Sequence, residues 1–111
     1  MIDRFSEYQI MWVFVFFDLP TGTKKERKRY AEFRKLLQRD GFTMFQFSIY
    51  LRHCLSRENA EVHMKRVKRI LPEGGSVGIL MVTDKQFAQM ELFTGRERTP
   101  QDLPTQQLEL F

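Results

Sequence analysis

Asp18 is the residue of this sequence best placed to do chemistry. It follows eight consecutive apolar residues, Ile10 to Phe17, and precedes Leu19-Pro20, so a carboxylate stands directly at the end of an apolar run. At such a place a carboxylate loses hydration unless a partner satisfies it. Two readings follow. In the first, Asp18 accepts hydrogen bonds from backbone N–H groups of the following turn, a common role for Asp. In the second, it is a metal-ligating or general-base carboxylate at the C-terminal end of a central strand. A single carboxylate ligates Mg²⁺ poorly, because that ion demands octahedral oxygen coordination and usually keeps several waters. Nothing near Asp18 in sequence is an obvious second base.

The other candidate is a concentration of charge. Residues 24–40 hold eight Lys/Arg against three Asp/Glu, which accounts for the whole excess behind the net charge of +4. At helical spacing Lys25, Lys28, Lys35 and Arg39 share the polar face, with Lys24, Arg27 and Arg34 flanking. Such a face is either solvated surface or a polyanion-binding surface. So many like charges on adjacent ridges, with few acids between them, favour a nucleic-acid duplex. The contacts would be to phosphates, and therefore independent of sequence.

Other reactive types are scattered. His53 and His63 are isolated, and His63 falls on an apolar helical stripe. Cys54 is the sole cysteine, so no internal disulfide forms, and there is no Cys/His cluster at zinc spacing. It reads as a small buried hydrophobe. Gln46 and Ser48 read as a polar bridge between strands. Trp12 and the Phe residues fall in strand patterns and read as core or interface rather than as an exposed stacking platform.

The elements that must position these residues are legible in order. Ile10–Phe17, closed by a Pro/Gly turn, predicts a strand buried on both faces. It is far short of the roughly 20 residues a membrane span requires. Thr23-Lys24-Lys25-Glu26 has capping-box spacing and opens a helix to about Asp40, with Tyr30, Phe33, Leu36 and Leu37 as its buried stripe. Gly41 is the left-handed stop, and Phe42 packs back beneath it. Phe42–Leu55 alternates and predicts either two short antiparallel strands meeting near Gln46–Ser48 or one bent strand with a bulge there. Ser56 caps a second helix whose apolar face is Ala60, His63, Met64, Val67 and Ile70/Leu71. Val77–Thr83 is a further buried strand, Asp84–Phe87 a turn or a single helical turn, and Met90–Thr94 a last short strand.

This order predicts an α+β fold, a ferredoxin-like split βαβ sandwich (βαββαβ), with an additional C-terminal strand that must extend an edge of its own or a partner's sheet. At 111 residues the chain fits one domain over 10–95, between an N-terminal extension, 1–9, and a polar tail, 96–111. The apolar residues Leu108, Leu110 and Phe111 suggest that the tail docks on another sheet's edge. The lone cysteine and the lack of an export pattern suit a reducing cytoplasm.

The apolar strand ending Phe17-Asp18-Leu19-Pro20, the basic first helix, Gln46-Phe47-Ser48-Ile49-Tyr50 and Val82-Thr83-Asp84-Lys85-Gln86-Phe87 together resemble the CRISPR-associated Cas2 family, most like its type II branch. The resemblance covers roughly residues 10–95. It implies a homodimer in which the last strand of each protomer completes the other's sheet. It implies as partners the Cas1 integrase and the duplex DNA of the incoming spacer. It also implies, for some members, a metal-dependent nuclease in which Mg²⁺ or Mn²⁺ is shared across the dimer axis by the two Asp18 carboxylates. Three functions stay open: a DNA-binding scaffold of the integration complex, a metal-dependent nuclease or endoribonuclease, and a toxin-type ribonuclease of the same fold. A two-fold axis would bring two like charges together at Asp18, which requires separation, protonation or a bridging cation.

Overall fold

The computed structural model describes residues 9–99. The expectations for residues 1–8 and for the tail from residue 100 onward, including Leu108, Leu110 and Phe111, lie outside the described residues. Strand β1 (Met11–Asp18) is central. It pairs antiparallel with β3 (Ile49–Cys54) on one side and β4 (Ser76–Thr83) on the other, and β2 (Thr43–Gln46) adds beyond β3. The sheet order is therefore β2-β3-β1-β4. Helix α1 (Lys24–Arg39) links β1 to β2, and α2 (Arg57–Arg69) links β3 to β4. This is the ferredoxin-like α+β arrangement that the element order predicts.

Alternation along β1 divides its side chains between the two faces. Met11, Val13, Val15 and Phe17 pack against Phe33 and Leu37 of α1 and Ala60 and Val67 of α2, forming the main core. Both helices begin where the sequence places them. The Thr23 hydroxyl accepts from the Glu26 amide while Glu26 reaches back to the Thr23 N–H, and the Ser56 hydroxyl accepts from the Asn59 amide. Gly41 takes a left-handed φ of 89° and ends α1, and Phe42 is buried below it.

The opposite face of the sheet is only half covered, which corrects the expectation that β1 is buried on both sides. Trp12, Leu51 and Phe87 form a second cluster with Phe14, Phe45, Val82 and Met90. The cover comes from a short helix, α3 (Asp84–Ala88), whose capping box joins Thr83 and Gln86. Its Phe87 stacks on Trp12 at 4.2 Å between centroids, and Asp84 Oδ1 accepts the indole N–H at 2.8 Å. Beyond that cluster the face is bare: Phe16 is 47% exposed and Leu80 50%. Phe16 lies across Gly78, where an added Cβ would fall 2.2 Å from the ring.

The segment 43–54 realises both sequence expectations at once. Two strands meet at a Phe47-Ser48 turn, and the register also shifts between Met44 and Gln46. The last predicted strand is shorter than expected. The Met90 N–H closes onto the Phe87 carbonyl, so β5 begins only at Leu92 (Leu92–Thr94). It pairs with β6 (Glu97–Thr99) as a separate hairpin outside the four-stranded sheet.

Candidate functional site

Asp18 ends β1 on the bare face of the sheet, opposite Ser76 of β4. Its position is fixed by the backbone on both sides. The Phe17 N–H donates to the Ser48 carbonyl at 3.0 Å. The Glu73–Gly75 loop approaches so closely that a Cβ on Gly75 would lie 2.5 Å from the Asp18 carbonyl oxygen. Gly75 also holds a left-handed φ of 70°, so two separate constraints select glycine there. The Asp18 side chain itself is exposed and accepts no hydrogen bond from another described residue. The turn-capping reading is therefore not realised: the N–H groups after β1 do not bond to this carboxylate. It lines a shallow depression together with Phe16, Phe47, Ser48, Ile49 and Gly78.

The described residues of one chain do not by themselves make a metal site at this carboxylate. Among the described residues no three His, Cys, Asp or Glu side chains come together as metal ligands. Asp18 thus offers an exposed carboxylate at the end of the central strand, and a cation there would need further ligands from beyond the described residues.

Of the eight cations of α1, Arg29 pairs with Glu73 at 3.4 Å, and the other seven sort into two groups. Lys24, Lys25, Lys28, Lys35 and Arg39 are exposed, with no ion pair or hydrogen bond to another described residue. Arg27 and Arg34 are engaged. Arg27 donates to the carbonyls of Thr21 and Gly22, and Arg34 Nε donates to the Tyr50 hydroxyl at 2.8 Å. Arg34 is half-buried, so it belongs to the α1–sheet seam rather than to the open face. The basic surface also extends further than α1. Arg39 shares a groove between the helices with Arg69 and Arg66 of α2, the latter ion-paired with Asp40, and Leu36 and Ile70 line it as well. The periodicity of α2 places Lys65, Lys68 and Arg69 outside its apolar face, which is the signal for this extension.

The polar residues of the hairpin act differently from expectation. The Ser48 hydroxyl meets the Tyr30 hydroxyl at 3.0 Å, so it bridges sheet to helix rather than strand to strand. Ser48 carries a left-handed φ of 64°, unusual for a residue with a Cβ. Phe47 beside it is 79% exposed, so of its two readings, core or interface, it is not core. His63 is buried, as its stripe position implies, and its Nδ1 meets Asp40 Oδ2 at 2.8 Å. Cys54 is wholly buried, and that burial pushes its thiol above the ordinary value of 9.0, away from a reactive thiolate. No helix among the described residues is long and apolar enough to cross a membrane.

The comparisons with known proteins agree on one family. The family model described as CRISPR associated protein Cas2 matches residues 11–90. A protein of Flavobacterium psychrophilum named CRISPR-associated endoribonuclease Cas2 is 60% identical over 108 residues, covering 97% of this chain and 94% of its own. A protein of the same name from Parvibaculum lavamentivorans is 52% identical over 101 residues, covering 91% of this chain and all of its own. Among solved structures, one described as "Crystal structure of cas2" aligns with a TM-score of 0.53 at 27% identity, over 82% of this chain and 93% of that one. With the strand order and these matches in agreement, the chain belongs to the CRISPR-associated Cas2 family.

Proposed function

We propose that this chain is a dimeric, duplex-DNA-binding scaffold of the CRISPR spacer-integration complex, working in the cytoplasm beside the Cas1 integrase. The observation that carries the reading is the set of cations on α1 that Lys24, Lys25, Lys28, Lys35 and Arg39 present to solvent, none of them in an ion pair with a described residue. A lattice of phosphates is the natural complement of such a face, and contact with it requires no sequence preference. The half-bare sheet face supports the dimer, because Phe16 and Leu80 leave an apolar surface that a second copy would cover. The partnership with the integrase rests on the resemblance.

Salt titration of duplex affinity tests this reading. Each phosphate contact contributes about −0.9 to the slope of log affinity against log salt. Charge reversal at Lys24, Lys28 and Lys35 should flatten the slope and weaken all duplex sequences alike. An unchanged slope would move the binding face to Arg66 and Arg69 of α2. A wild-type chain that binds no duplex at any salt would sink the scaffold reading.

A second reading has its own observation. The Asp18 carboxylate is exposed and has no partner among the described residues, and relatives of this chain are named endoribonucleases. In a two-fold dimer two Asp18 side chains could share one Mg²⁺ or Mn²⁺, each chain supplying one carboxylate. Such an ion, when bound, activates water toward a phosphodiester. This chain's own contribution would be to hold the carboxylate at the strand end, through Gly75 and the Phe17–Ser48 backbone bond. A genomic neighbourhood with an integrase gene beside a repeat array would separate both readings from a toxin-type ribonuclease.

A further inference from the structure

Turn positions of two-residue hairpins are ordinarily filled by Gly, Asn, Asp or Ser. Here the first of the two is Phe47, with its ring 79% exposed. An aromatic side chain displayed in this way loses the free energy it would gain by burial, so the position calls for a reason. The ring is not left to wander. It stacks on Tyr30 of α1, with centroids 6.0 Å apart and planes at 24°. Tyr30 is held in turn by its hydroxyl contact with Ser48 and by an edge-to-face contact with Phe17 at 5.7 Å. The Arg34 guanidinium lies 6.0 Å from the Tyr30 centroid on that same assembly. Phe47 is therefore the outermost ring of a supported aromatic cluster, stacked on Tyr30, which meets Phe17 edge-to-face, and it is largely open to solvent.

The surroundings decide what that open face suits. Phe47 lines the same depression as Asp18, and two cations share the Tyr30 side of α1: Arg34 beside the Tyr30 ring and the exposed Arg27 one turn before it. A rigid aromatic face next to cations is the usual recipe for holding a nucleobase while its backbone is met electrostatically. A fully paired duplex keeps its bases stacked and offers none to a protruding ring. We propose that Phe47, backed by Tyr30, is a stacking platform for one unpaired base of a nucleic-acid strand, such as a frayed end or a single-stranded stretch running past Asp18. This inference rests on the nucleic-acid-binding reading above and adds a strand-form preference that the α1 cations alone do not give.

The test compares a mixed-sequence single-stranded oligonucleotide, as DNA and as RNA, with a blunt duplex of the same length, using the full chain. Loss of one stacked base corresponds to roughly a tenfold weakening or more. Phe47→Ala should weaken single-strand binding by about that factor and leave duplex binding within about twofold. Phe47→Trp should keep single-strand affinity, and its exposed indole emission should be quenched by the oligonucleotide, while the buried Trp12 contributes a constant background. The DNA and RNA arms identify which strand is held. Equal losses on single strand and duplex, an unchanged single-strand affinity, or a dimer dissociated by Phe47→Ala in light scattering would each overturn the platform. If the wild-type chain binds duplex with a normal salt slope and Phe47→Ala changes nothing, only this inference fails. If wild type binds neither probe, the nucleic-acid reading fails with it.

Discussion

His63 Nδ1 lies 2.8 Å from Asp40 Oδ2, tying a buried imidazole on α2 to the residue that ends α1. The other Asp40 oxygen accepts from Arg66 at 2.8 Å, and the Asp40 carbonyl accepts from Arg52 Nε at 2.7 Å. Both helices and β3 therefore converge on one aspartate. Burial pushes the Asp40 carboxyl upward, but hydrogen bonds and charge from His63 and Arg66 outweigh it and hold the group below the ordinary value of 3.8. A carboxylate depressed in the folded state contributes stability that is present above its unfolded value and lost as pH falls through its folded one. The melting-temperature gap between wild type and Asp40→Asn should be widest near neutrality and should close as pH falls below about 4. Asp40→Ala should cost about 2 kcal/mol at neutral pH, since it leaves His63 without a partner. A gap that does not vary with pH would show that the aspartate's charge contributes nothing.

The bare sheet face predicts the dimer contact. Phe16→Glu combined with Leu80→Glu should give a monomer by light scattering with little change in melting temperature, because both side chains are already half exposed in one chain. Truncation at Asp84 is a harsher change. It strips Phe87 and Asp84 from Trp12 and should cause aggregation. A double variant that remains dimeric would place the interface elsewhere.

Asp18 separates enzyme from scaffold. Asp18→Asn should leave folding intact, because the side chain bonds to no described residue. It should also abolish any Mg²⁺- or Mn²⁺-dependent cleavage by orders of magnitude, since no other cluster of three or more ligating side chains stands among the described residues to hold the ion. Spacer integration should remain near normal, with its chemistry on the partner enzyme. Lost integration at unchanged melting temperature and DNA affinity would put the chemistry on this chain.

Gly74 and Gly75 form an internal control. Both have positive φ, 79° and 70°, but only Gly75 faces an obstacle, the Asp18 carbonyl. Gly74→Ala should cost about 1 kcal/mol, the backbone term alone. Gly75→Ala should cost at least about 1 kcal/mol more, because the loop must move off the end of β1. Urea denaturation measures both, and equal losses would mean that the loop yields freely.

Much of this molecule is written in short-range pattern. The apolar run before Asp18 set β1, Thr23 with Glu26 opened α1, Gly41 closed it, and Ser56 opened α2. Each signal acts over a few residues, through periodicity, a capping hydrogen bond or a left-handed φ, and nothing distant competes with it. The alternating stretch 43–54 left hairpin and bulge equally open, because both satisfy the same alternation; cross-strand pairing produced both. Tertiary structure alone decided which half of the second sheet face is covered, since Asp84 and Phe87 reach Trp12 from across more than 70 positions. It likewise decided that Asp18 meets no partner among the described residues while Asp40 is tied down by α2. Phe47 shows the limit most clearly. Alternation assigned it to a strand, yet the two-residue turn lifted it out of the pleat, and Tyr30 from another element fixed where its ring points. Burial and partnership depend on what the rest of the chain brings alongside, and no local pattern encodes that.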